Sequence, residues 1–176
     1  MKWITYILAA ALLVIINQSV LLVFDFGSFA PNLLLLVTLA FIVSFNNDDF
    51  IFFAGFGGLW MEVVTGLPFG SYILGLLLVA VVTRWIIDHW VFAHKDWRHF
   101  LGAIIIGSLA FHFWLWLYSN ILFSVGWGTV SIGTIVMLKT LLPVLLANLI
   151  LAYPIFILVE YIAKASQYWF RGKSRL

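Results

Sequence analysis

Gly55-Phe-Gly-Gly-Leu-Trp-Met-Glu62-Val-Val-Thr-Gly66-Leu-Pro-Phe-Gly70 holds the one carboxylate that lies deep inside an apolar run. At about 100° per residue, Gly55, Gly58, Glu62 and Gly66 fall within an arc of about 80°, so a smooth glycine strip on one helix face carries a single acid. Such a strip lets a second helix backbone come close, and an acid placed there must be partnered or neutralised. The stretch therefore reads as a membrane helix with a packing face, closed by the turn signals Gly66, Pro68 and Gly70.

The rest of the chain has the composition this reading needs. Of its 176 residues 65% are hydrophobic and only 9% charged, and the mean hydropathy is +1.15. An ordinary soluble domain is roughly 25% charged, so the expectation is one all-α, polytopic membrane domain covering 1–176. Cysteine is absent, which removes thiolate nucleophiles and thiolate metal sites together. The net charge of +2 includes no basic run of the nucleic-acid-binding kind.

Apolar runs and turn residues divide the chain into six expected spans, 3–24, 31–45, 50–67, 71–87, 100–123 and 134–163. The first is too long for a secretory signal peptide and is expected to stay as an uncleaved span, closed by a loop from Asp25 to Ser28. Pro31 opens the second at a position proline tolerates, with Asn32 beside it. The tetrad Asn46-Asn47-Asp48-Asp49 makes a hairpin turn, and Arg84 and Asp88 are spaced to pair at the end of the fourth span. Residues 88–99, rich in Trp, His, Lys and Arg, read as a segment lying along lipid headgroups. Gly126, Gly128 and Gly133 mark a loop, and Pro143 and Pro154 predict a kinked last helix.

With six spans, both termini, the 46–49 turn and the 88–99 segment share a side. Eight of the nine Lys and Arg residues then gather there, all but Lys139. The positive-inside rule makes that side cytoplasmic.

A rise of about 1.5 Å per residue places Asn17, Glu62, His112 and Asn148 roughly 17–20 Å into their spans, as one buried polar layer. An isolated carboxylate in hydrocarbon costs several kcal/mol, so Glu62 and His112 are expected to meet. His89, His94 and His99 recur every five residues, which spreads them around a helix and does not build a metal site. No nucleophile with a base in reach, paired intramembrane Asp, HExxH or phosphate-cradling glycine loop is visible. The expectation is a protein without catalytic residues, metal or cofactor.

The spacing Gly58, Glu62, Gly66, Gly70 resembles the signature of the rod shape-determining protein MreD family, which sets glycine, acid, glycine and glycine at four-residue steps. Pro31-Asn32 before an apolar helix, and Asn148 ahead of Pro154, resemble the same pattern, although the family most often has Asp at the position of Glu62. The resemblance implies a non-enzymatic subunit of the bacterial cell-elongation machinery in the plasma (inner) membrane. Its implied partners are membrane lipids, an MreC-like bitopic protein, an MreB-like filament and a SEDS glycosyltransferase with its class B penicillin-binding protein. Gly55, Gly58, Glu62, Gly66, Gly70, Pro31 and Asn32 would then shape helix packing or a partner interface. The family is also similar in fold to the S components of energy-coupling-factor transporters, so a vitamin- or metal-binding S component is the alternative. The Ala9-Ala10-Ala11 triplet lacks the four-residue spacing of that class's docking helix.

Overall fold

The computed structural model describes residues 2–24, 30–44, 48–91, 97–127 and 131–173. Six α-helices follow one another: α1 (Lys2–Phe24), α2 (Leu33–Ser44), α3 (Asp49–Thr65), α4 (Ile73–Ile86), α5 (Trp97–Ser124) and α6 (Thr134–Lys173). No strand occurs among the described residues. The expected loop at 25–28, Asn46, Asn47, Gly128 and residues 92–96 lie outside them.

The shortest α-helix, α2, is the hub. It is only 12 residues long, yet it packs against each of the other five. Leu34, Leu35, Leu36, Thr38, Leu39, Ala40, Ile42 and Val43 are all buried, which covers both sides of the helix. Its sequence, LLLLVTLAFIVS, has no polar stripe, as a helix enclosed on all sides requires. Around it, packed pairs run α1 to α3, α3 to α4, α4 to α5 and α5 to α6.

Side-chain contacts fix the directions. Tyr6 meets Asp49 and Gln18 meets Met61, so α1 and α3 run parallel. Phe41 stacks on Phe53 while Leu34 approaches Gly57, which makes α2 antiparallel to α3. Gly58 faces Ile73 and Gly55 faces Leu77, Gly75 faces Phe111 and Gly107 faces Val79, and Phe100 stacks on Phe156. The helices therefore alternate in direction, and α1 starts at the same end at which α6 finishes. α2 and α4 both start at the other end.

Two helices, Trp97–Ser124 and Thr134–Ile162, are long and apolar enough to cross a membrane. The outer surface is broadly apolar: Ile4, Leu8, Leu12, Val63, Val81, Phe113, Ile135, Ile150 and Tyr161 are all exposed. Asn17, Asp49, Glu62, Ser108 and Asn148 are buried.

Several details depart from the sequence-based expectations. Pro31 lies just before α2, and Asn32 is the residue that caps it, its Oδ1 accepting from the Leu35 N–H at 3.0 Å. α4 does not end at residue 87 but continues as a π-helical turn, Ile87–Val91. Trp97, Arg98 and His99 already belong to α5, so the 88–99 stretch is not one separate segment. α6 runs as a single helix through Pro143 and Pro154, ten residues past its expected end. The Arg84–Asp88 pair is present at 2.8 Å.

Candidate functional site

An α-helix leaves its first N–H groups without intrahelical partners, and where a helix starts among apolar side chains those donors need acceptors from elsewhere. α2 and α4 both start this way at the same end. Each draws at least one cap from another helix.

At α2 the caps come from three asparagines. Asn17 of α1 accepts from the Leu33 N–H at 3.0 Å, and Asn148 of α6 accepts from the Asn32 N–H at 2.9 Å. The Asn148 amide then donates to the Ser108 hydroxyl of α5 at 3.1 Å. Asn148 and Ser108 are both fully buried. Four helices are thus joined through one polar chain, and Pro31, which has no N–H to satisfy, leads into it without adding an orphan donor.

At α4 the cap is Glu62. The residue at the N-cap, Tyr72, has no side-chain group that can perform this role, and none of its side-chain atoms caps the helix. The Oε1 atom of Glu62 instead accepts from the backbone N–H groups of Gly70 (2.8 Å), Tyr72 (2.8 Å) and Ile73 (3.0 Å). A negative charge at this point also opposes the positive end of the α4 dipole. The other oxygen, Oε2, is buried and has no hydrogen-bond partner.

The glycines make this reach possible, each in a different way. A Cβ on Gly58 would stand 2.5 Å from the Ile73 Cα, so α3 and α4 touch backbone to backbone there. Gly66 ends α3 in the left-handed conformation, φ +65°, donating to the Glu62 carbonyl at 2.9 Å. Gly70 has φ +100°, which turns its N–H onto the carboxylate. From outside, Trp114 donates to the Ser71 carbonyl at 3.0 Å and the Tyr118 hydroxyl donates to that of Phe69.

Two expectations are corrected by this geometry. Glu62 does not bond His112: the His112 Nδ1 lies 3.0 Å from the Ser108 carbonyl on its own helix, and Glu62 is held by backbone N–H groups nearer in sequence. His112 is half-buried and flanks the polar chain at Ser108. The strip Gly55, Gly58, Gly66 is not one docking face, because a Cβ on Gly55 would meet only Leu77 at 3.9 Å and one on Gly66 would meet nothing. The close approaches on α3 are at Gly58 and Gly57, the latter against Leu34.

Sequence reasoning missed Ser108, Trp114, Tyr118, Gly57, Gly75 and Gly107. Lone glycines or serines in apolar helices carry no distinguishing spacing. The Tyr6 hydroxyl bond to Asp49, 3.0 Å, was equally invisible, since it joins a span start to a turn residue.

No family model, curated protein or solved structure matches the chain.

Proposed function

We propose that this chain crosses a bilayer six times, with both termini on the cytoplasmic side, and acts as a non-enzymatic scaffold of the bacterial cell-elongation complex, as its resemblance to the MreD family implies. The observation that carries the scaffold reading is the use of the motif itself. Gly58, Glu62, Gly66 and Gly70 all serve to set α4 against α3, and the carboxylate spends one oxygen on three backbone N–H groups. Such an arrangement fixes a surface. It provides no nucleophile or metal-ligand set.

The membrane reading is supported by the inversion of polarity between surface and core. A helix in hydrocarbon needs apolar side chains outward and every backbone donor satisfied inward. Exposed Val63, Val81 and Ile150 meet the first need, and the capped starts of α2 and α4 meet the second.

With Gly58 and Gly70 buried, the surface left for a bitopic partner is the exposed 66–69 turn and the outer side of α3, where Trp60, Val63, Val64 and Phe69 are exposed. Affinity purification of the full chain from native membranes, followed by mass spectrometry, tests the assignment. The expected outcome is recovery of an MreC-like bitopic protein, reduced by Phe69→Ser. Saturable thermal stabilisation by a vitamin or by Ni²⁺ or Co²⁺, with no such partner recovered, overturns it in favour of the transporter component.

A further inference from the structure

At the end opposite the capped helix starts, α4 and α5 part to leave a cleft of about 220 Å³. Its lining is Thr83, Ile86 and Ile87 from α4 and its π-helical continuation, with Arg98, His99, Gly102, Ala103 and Ile106 from α5. A Cβ added at Gly102 would meet nothing within 4 Å, so this wall is open. Apart from Thr83 the walls are apolar along their length, and Arg98 and His99 stand at the start of α5.

Thr83 distinguishes the cleft from a plain packing gap. It is 3% exposed, and its hydroxyl has no hydrogen-bond partner. Helical threonines ordinarily turn the hydroxyl back onto a carbonyl one turn earlier. Thr38, Thr65 and Thr140 all do so, to Leu34, Met61 and Val136. Thr83 does not, and it lines the cleft. A buried hydroxyl left unsatisfied is destabilising, a loss that a ligand oxygen would recover.

We propose that this cleft holds one anionic phospholipid, its phosphate on Arg98, an ester oxygen on the Thr83 hydroxyl and an acyl chain along Ile86, Gly102 and Ile106. Charge supports an anion: Asp88, the acid on the adjoining π-helical turn, is already taken by Arg84 at 2.8 Å, while Arg98 is exposed. Arg is suited to phosphate because its planar fork can donate two parallel bonds. Basic pockets between helices on the cytoplasmic side are where anionic headgroups are available. The proposal rests on the membrane reading above, which puts this end at the cytoplasmic face.

The test is native mass spectrometry of the full chain released from detergent micelles containing phosphatidylglycerol or phosphatidylcholine. One retained phosphatidylglycerol per chain is expected, with phosphatidylcholine retained about tenfold less. Gly102→Leu, which fills the open wall, and Arg98→Gln should each lower retention about tenfold, and Thr83→Val by a smaller factor. Gly55→Ala, far from the cleft, should leave it unchanged. Equal retention of the two lipids, or undiminished retention by Gly102→Leu, overturns the proposal. So does displacement of the lipid by millimolar inorganic phosphate, which would mark a site for a free anion. An alkaline carbonate wash of membranes separates the two layers of inference. Chain released without detergent overturns the membrane reading and the lipid site together, whereas chain kept in the pellet without bound phosphatidylglycerol overturns the lipid site alone.

Discussion

Asn148 on α6 accepts a hydrogen bond from the backbone nitrogen of Asn32 at 2.9 Å, so the first turn of the central helix is held by a side chain 116 positions away. The same amide donates to Ser108, and both groups are out of reach of water. Asn148→Ala would orphan the Asn32 N–H and the Ser108 hydroxyl together, at about 1–3 kcal/mol each. Asn148→Asp keeps the acceptor and loses the donor. Thermal unfolding in detergent should rank wild type above Asn148→Asp above Asn148→Ala. Restoration of the Ala variant by Ser108→Ala should be partial, because the Asn32 donor remains without its acceptor.

Glu62 and Tyr72 give a second graded test. Glu62→Gln keeps a carbonyl oxygen that can accept the same three N–H bonds but loses the charge opposing the α4 dipole, a loss of about 1–2 kcal/mol in a partly buried setting. Glu62→Leu removes the acceptor altogether and leaves three donors unsatisfied, which should cost several kcal/mol. Hydrogen exchange at Gly70, Tyr72 and Ile73 reports the cap directly: protection should survive in the Gln variant and vanish in the Leu variant. Equal protection in both would show that the carboxylate does not cap α4.

Two glycines three residues apart should respond in opposite directions to the same substitution. Alanine gains about 1 kcal/mol over glycine inside a helix. At Gly55 the new methyl group would meet only Leu77 at 3.9 Å, ordinary contact, so Gly55→Ala should be neutral or slightly stabilising. At Gly58 it would stand 2.5 Å from the Ile73 Cα and 2.8 Å from its nitrogen, backbone that cannot rotate away. Overpacking of about 1–3 kcal/mol then outweighs the propensity gain. Melting temperatures of the two variants, measured side by side, decide the matter.

The contrast shows what the sequence could and could not convey. Asn17, Glu62 and Asn148 stand out because a polar group in an apolar run is conspicuous, and counting residues along a helix locates its depth. Apart from the Ser108 hydroxyl, their partners are backbone N–H groups, which every residue but proline carries and which no residue type announces. The pairing of Glu62 with His112 was a natural inference from matched depth alone. Depth ignores rotation about the helix, and the start of α4, eight to eleven residues onward, supplied donors closer at hand. Helix order was legible from Gly, Pro and Asn punctuation. The hub position of α2 was not, since several uniformly apolar segments all read alike and only packing shows which one the others surround.

The absence of cysteine makes the topology testable with single introduced thiols. Alternating helix directions put Asp48, an exposed residue before α3, at the end where α1 starts, and Trp127, 81% exposed after α5, at the end where α2 and α4 start. The proposed topology puts the first end on the cytoplasmic side, the end toward which Lys2, Arg84 and Arg98 lie. A membrane-impermeant maleimide applied to intact cells should therefore label Trp127→Cys and spare Asp48→Cys, and both should react once the membrane is permeabilised. Neither substitution touches a buried group, so folding is preserved and the labelling reads position only. Labelling of Asp48→Cys alone would invert the chain in the bilayer and move the Arg98 cleft to the outer face. Labelling of both in intact cells would mean that an even number of crossings separates the two residues, whereas the six-span arrangement puts three, α3, α4 and α5, between them.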